Sequence, residues 1–86
     1  MIIRIKGRVQ GVFFRTEVKK IADVLGITGW VKNEPDGSVA VVAEGKEEEL
    51  QKLIEWCKKG TDISRVENVE VEWKDATGEF ADFIMS

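Results

Sequence analysis

A chain of 86 residues has room for one domain built on one core, 1–86, with nothing to spare for a second. Its 43% hydrophobic and 34% charged residues are those of a folded globular domain rather than a disordered tail. With a net charge of −3, no histidine and a single cysteine, it is poorly suited to bind nucleic acid or an anionic membrane, to hold a His-based metal site, to run Ser-His or Cys-His catalysis, or to form an internal disulfide.

Ile3 and Ile5 alternate with Arg4 and Lys6 and lead to Val9, the pattern of a half-buried strand that breaks at Gly11. Phe14, Val18, Ile21, Ala22 and Leu25 then recur on one face of a helix, and Gly26 stands where a left-handed C-cap would end it. Residues 27–32 read as a second strand. Asn33-Glu34-Pro35-Asp36-Gly37 is a turn, with proline setting a negative φ and glycine accepting a positive one. Residues 39–43 form the third strand, hairpinned to the second.

After Gly45 comes a second helix. Glu47, Glu48 and Glu49 in its first turn and Lys58 and Lys59 in its last complement the helix dipole. Leu50, Leu53, Ile54 and Cys57 make its apolar stripe, which marks Cys57 for burial rather than for nucleophilic work. Beyond a loop over 61–65, Val69, Val71 and Trp73 alternate with charged residues as a fourth strand. Thr77-Gly78 turns into a short last segment, 80–85, expected at a sheet edge. No repeat, linker or low-complexity stretch interrupts this order. It predicts an α+β, ferredoxin-like split βαβ two-layer sandwich: two helices on one mainly antiparallel sheet, with an extra short C-terminal strand. Such a fold hosts many functions and by itself selects none.

The junction between the first strand and first helix carries the chemistry. Gly7-Arg8-Val9-Gln10-Gly11-Val12-Phe13-Phe14-Arg15 leaves a strand, bends at a glycine and enters a helix, where unpaired backbone N–H groups carry positive partial charge and can cradle a phosphate. Arg15 in the first helical turn faces the positive end of the dipole, an arrangement that a bound anion would reverse, and its planar guanidinium can hold two phosphate oxygens at once. Position alone equally allows a solvated Arg15, and Gly7 and Gly11 could simply bend the chain. Asn33 offers a donor and an acceptor to a water and a phosphate oxygen, yet asparagine beside Pro-Asp-Gly is also ordinary turn chemistry. Trp30, Trp56, Trp73, Phe13, Phe14, Phe80 and Phe83 are for the most part core residues, since no basic residues interleave with them as an RNA platform would require.

The stretch from Gly7 to Arg15, together with Gly29-Trp30-Val31-Lys32-Asn33 and Asp36-Gly37-Ser38-Val39, resembles the two signatures of the acylphosphatase family. The resemblance continues through the second helix, the 66–73 strand and the Phe-containing C-terminus. It departs in Gly60-Thr61-Asp62-Ile63-Ser64-Arg65, which lacks the expected Pro-rich, Ala-containing form, and at Ile84-Met85-Ser86, which lacks a terminal aromatic. The resemblance implies hydrolysis of an acyl phosphate to carboxylate and inorganic phosphate. Loop amides of Gln10, Gly11, Val12, Phe13 and Phe14 would bind the phosphate, Arg15 would clamp it, and Asn33 would orient water. It implies no cofactor and no metal, a small-molecule acyl phosphate as partner, and neither nucleic acid nor membrane. A cytoplasmic monomer is the simplest expectation. The residues mark no site for the acyl portion. The alternative is a non-catalytic ferredoxin-like module that binds phosphorylated ligands or RNA.

Overall fold

The computed structural model describes residues 1–86. Along the chain run β1 (Ile2–Arg8), α1 (Phe14–Leu25), β2 (Thr28–Asn33), β3 (Val39–Glu44), α2 (Glu47–Lys59), β4 (Arg65–Glu72) and β5 (Phe83–Met85). The strands form one sheet in the order β4-β1-β3-β2-β5. All neighbours are antiparallel except β2 and β5, which are parallel. This is the α+β, ferredoxin-like sandwich that the element order implied.

Alternation makes one face of that sheet continuous. Val31 lies opposite Val41, Val41 opposite Ile3, and Ile3 opposite Val71, so a single apolar row crosses four strands. A second row joins Val39, Ile5 and Val69. Against these rows α1 packs Phe14, Val18 and Ala22, and α2 packs Leu50, Leu53, Ile54 and Cys57. The helix α1 lies over β2 and β5, and α2 over β4. The two helices touch through Phe14 and Trp56, whose ring centroids are 5.2 Å apart. Tilted aromatic pairs of this kind add roughly 0.5–1.5 kcal/mol to the area they bury. No helix is long and apolar enough to cross a membrane.

Two features shape the two ends of the sheet. Between Lys6 and Gly7 the β1–β4 register slips by one residue, leaving Glu67 without a partner on β1. Gly7 has φ 126° there, and a Cβ would run into the Arg65 carbonyl oxygen, so only glycine lets β4 stay paired up to the start of the loop. At the other edge, residues 73–82 cross from β4 to β5 over the far end of the sheet. The Glu44 carboxylate accepts bonds there from the Thr77 N–H (2.7 Å), the Thr77 hydroxyl (2.9 Å) and the Gly78 N–H (3.0 Å).

The structure differs from the sequence reading at two places in this half of the chain. The fourth strand stops at Glu72, so Trp73 falls outside it and is 49% exposed. The last strand is three residues long rather than six, because only 83–85 pair with β2 while 73–82 serve as the crossover. The aromatics divide accordingly. Phe14 and Phe83 are core residues and Trp56 packs against the core, whereas Phe13 and Trp73 stand in solvent.

Candidate active site

The loop after β1 is anchored from beneath by alternate residues. Val9, Val12 and Phe14 are buried, while Gly11 and Phe13 face outward. Both outward residues have left-handed backbones, Gly11 at φ 72° and Phe13 at φ 62°, ψ 18°. A Cβ on Gly11 would meet no protein atom within 4 Å, so the protein's own packing does not demand glycine; its positive φ does.

This backbone path leaves a run of donors unused. No N–H from Gln10 to Thr16 finds an acceptor within the chain, and the first loop or helix amide to do so is Glu17, bonded to the Phe13 carbonyl at 3.1 Å. An ordinary helix leaves four N-terminal amides unpaired; here the run extends back into the loop. Phe13, the N-cap residue, offers no side-chain bond to any of them. A cleft of about 300 Å³ lies against these amides, lined by Val9, Gly11, Phe13, Phe14, Arg15 and Thr16.

The loop is held from both sides. The Gln10 side-chain amide donates to the Glu34 carbonyl at 2.8 Å and to the Ser38 carbonyl at 2.9 Å, which ties it to the β2–β3 turn. On the other side the Thr61 hydroxyl donates to the Val12 carbonyl at 3.0 Å. Donors fixed in this way need no rearrangement to meet an anion.

Arg15 is partly buried at the start of α1, and its Nη1 donates to the Ser86 carbonyl at 2.6 Å. A guanidinium has five N–H donors, so that single bond leaves most of its fork uncommitted. The bond belongs to a wider contact in which Lys19 Nζ donates to the Phe83 carbonyl at 2.9 Å and Ser86 N–H to the Val31 carbonyl at 2.9 Å. Residue 86 therefore links the start of α1 to β2, two residues before Asn33.

Asn33 ends β2 at the same end of the sheet. Its Oδ1 is buried and has no hydrogen-bond partner within the chain. The turn that follows does not depend on it. Asp36 Oδ1 accepts from the Ser38 N–H at 2.9 Å and the Ser38 hydroxyl at 2.6 Å, and Glu34 N–H donates to the Ser38 carbonyl at 2.8 Å. Those Ser38 bonds, chiefly the one from the hydroxyl, hold the Asp36 carboxyl below its usual range. An unpaired buried acceptor costs about 1–3 kcal/mol, and the fold recovers none of it through the turn.

The structure places Gln10–Arg15 and Asn33, the residues singled out in the sequence, at one end of the sheet. Sequence reasoning missed the side-chain role of Gln10, the Thr61 tie and the Ser86 carbonyl on Arg15. Only Gln10 carried a signal, since its long amide sits in a loop of otherwise small or apolar residues. Cys57 is buried among apolar neighbours that push its thiol up to about 12, leaving it without nucleophilic character. No three His, Cys, Asp or Glu side chains gather where they could hold a metal ion. A cavity of about 680 Å³ between Met1, Glu44 and Trp73 opens at the opposite end of the sheet, away from the loop's donors.

The family model described as Acylphosphatase matches residues 1–85. Among curated relatives, an acylphosphatase of Pelotomaculum thermopropionicum is 49% identical over 79 residues, covering 92% of this chain and 86% of that protein. One of Pyrobaculum islandicum is 52% identical over 80 residues, covering 92% and 84%. The crystal structure of acylphosphatase from Bacillus subtilis superimposes with a TM-score of 0.95 at 39% identity, over 99% of this chain and 94% of that one. Agreement of this extent, in sequence and in backbone alike, places the chain in the acylphosphatase family.

Proposed function

We propose that the chain hydrolyses acyl phosphates to a carboxylate and inorganic phosphate, with the 10–14 loop amides and Arg15 holding the phosphoryl oxygens and Asn33 orienting the attacking water. The unpaired amides from Gln10 to Thr16, running up to a cationic guanidinium, carry this reading. They are fixed positive charge where a phosphoryl group gathers negative charge, and phosphoryl transfer needs mainly positioning and charge stabilisation.

In this scheme the water oxygen forms a bond to phosphorus as the bond from phosphorus to the acyl oxygen breaks. The electron pair leaves on the carboxylate, and both water hydrogens end on the released phosphate. A carboxylate is a weak base and departs without a proton, which suits a chain with no histidine. Asn33 precedes Glu34, whose carbonyl Gln10 holds; its Oδ1 is buried in this conformation, so its side-chain amide would turn toward the cleft to fix the water's orientation. No cofactor or metal enters the scheme. Residues 1–86 act in it as one domain, a cytoplasmic monomer without nucleic-acid or membrane partners, in keeping with the acidic net charge and the family match over residues 1–85.

The test is turnover of benzoyl phosphate followed by ultraviolet absorbance, which should exceed the spontaneous rate with the purified chain alone. A folded sample that releases phosphate no faster than buffer would overturn the reading and favour a non-catalytic phosphate-binding module.

A further inference from the structure

Phe13 separates two hollows. On one side is the cleft that holds Gly11 and Arg15, and on the other a groove of about 430 Å³ whose lining includes Trp56 and Ile63 together with Glu17, Lys59 and Asp62. We propose that this groove receives the acyl group of the substrate and that it favours an uncharged apolar acyl group, aromatic or branched. The proposal rests on the phosphate-loop reading above, since it takes the phosphoryl group to sit on the other side of Phe13.

Four observations support it. Phe13 is 69% exposed and Ile63 58% exposed, two large apolar side chains in solvent beside the one loop that carries the unpaired amides. Phe13 also holds a left-handed backbone that glycine would adopt without strain, so the aromatic ring is kept at a conformational cost that core packing does not repay. The groove is already formed, because Thr61 N–H donates to Ser64 Oγ at 2.8 Å, Ser64 Oγ donates to the Thr61 carbonyl at 2.9 Å, and Thr61 Oγ1 holds the Val12 carbonyl. Its lining mixes Phe13, Trp56 and Ile63 with polar and charged groups, and a preformed concavity that offers apolar side chains beside a few polar ones suits a small molecule. Finally, Lys20 pairs with Glu17 at 3.3 Å and Asp62 stands on the lining with Lys59, so the groove has no surplus cation to offer a carboxylate on the acyl group. The 60–65 segment, where the sequence departs from the family's usual form, supplies Thr61, Asp62 and Ile63 to this lining and so bears on acyl preference.

The experiment compares kcat/KM for acetyl phosphate, benzoyl phosphate and 4-carboxybenzoyl phosphate in the wild type, Ile63→Ser and Ile63→Lys. An acetyl group offers only a methyl beyond the carbonyl and makes little use of the groove. Ile63→Ser should lower the benzoyl-to-acetyl ratio by roughly three- to tenfold. Ile63→Lys should raise the 4-carboxybenzoyl-to-benzoyl ratio by a similar factor. Ile63 is exposed, so both variants fold, and equal melting temperatures check that. Ratios that stay fixed in both variants would overturn the acyl subsite while leaving the hydrolase reading intact. Absence of turnover of every substrate by the wild type would overturn both.

Discussion

Asn33 and Arg15 are asked to do different work, and their substitutions separate the two. Since no turn bond uses the Asn33 side chain and its buried acceptor is unpaired, Asn33→Ala should hold or raise the melting temperature. If the residue orients water, kcat collapses while inorganic phosphate still inhibits with near-normal affinity. A marked fall in melting temperature, with activity retained in Asn33→Gly, would return Asn33 to a turn role. Arg15→Ala should damage substrate binding and turnover together, by roughly 10²–10³ in rate for loss of one preorganised donor. Arg15→Lys should recover little, because an ammonium cannot reproduce a planar fork shared between the substrate and the Ser86 carbonyl. Measuring kcat, phosphate inhibition and melting temperature for the four variants decides between the assignments.

At the scale of elements, the β2–β3 turn and the crossover are both held by ionised carboxylates. Asp36 lies below its ordinary 3.8, chiefly through the Ser38 hydroxyl, and Glu44 below its ordinary 4.5, chiefly through the Thr77 N–H. A carboxyl depressed in the folded state binds fewer protons there than in the unfolded chain. Its contribution is present above the ordinary value and is lost as pH falls through the folded one. Stability should therefore decline in acid, below about pH 4.5, and the decline should be shallower in the Asp36→Asn, Glu44→Gln double variant. Thermal melts from pH 6 to 2 read this directly, and identical slopes for variant and wild type would show that neither carboxylate matters. Asp36 also secures the Ser38 carbonyl that Gln10 uses, so the same protonation loosens one tie on the loop.

Legibility in the sequence followed the range of the interaction. The strands β1 and β4 and both helices announce themselves through spacing, because burial on one face imposes a period that neighbouring residues share, while β2 and β3 are marked by the turn between them. Gly26 and Gly60 marked helix ends for the same local reason. The three-residue β5 is too short to show a period, and Trp73 continued an alternation that the crossover had already ended. The candidate loop was readable because glycine, strand end and helix start are consecutive. Its supports were not, since Gln10 reaches 24 and 28 residues along the chain and Thr61 reaches back 49. The groove beside Phe13 exists only once those distant segments meet.

Taken whole, the molecule has little that titrates near neutrality in the proposed chemistry: it has no histidine, and its one thiol is pushed up to about 12. Between about pH 5 and 8 the rate should follow the substrate's own phosphate ionisation. Comparing acyl phosphates of different phosphate pKa tests this, because a bell that stays fixed across them would reveal an acid or base on the protein. With no cluster of ligands suited to a metal ion, dialysis against a chelator should leave turnover unchanged. Activity lost in this way and restored by Mg²⁺ or Zn²⁺ would contradict the scheme.

The bond between Arg15 and Ser86 spans 71 residues, and its consequence falls on folding. Contacts this distant along the chain should close after the local hairpin of β2 and β3. Until residues 83–86 dock, the outer edge of β2, Gly29 to Val31, keeps its backbone groups open to strands of other chains. Their docking covers that edge and brings the Ser86 carbonyl to Arg15 together, so one late step both protects the sheet and seats the arginine.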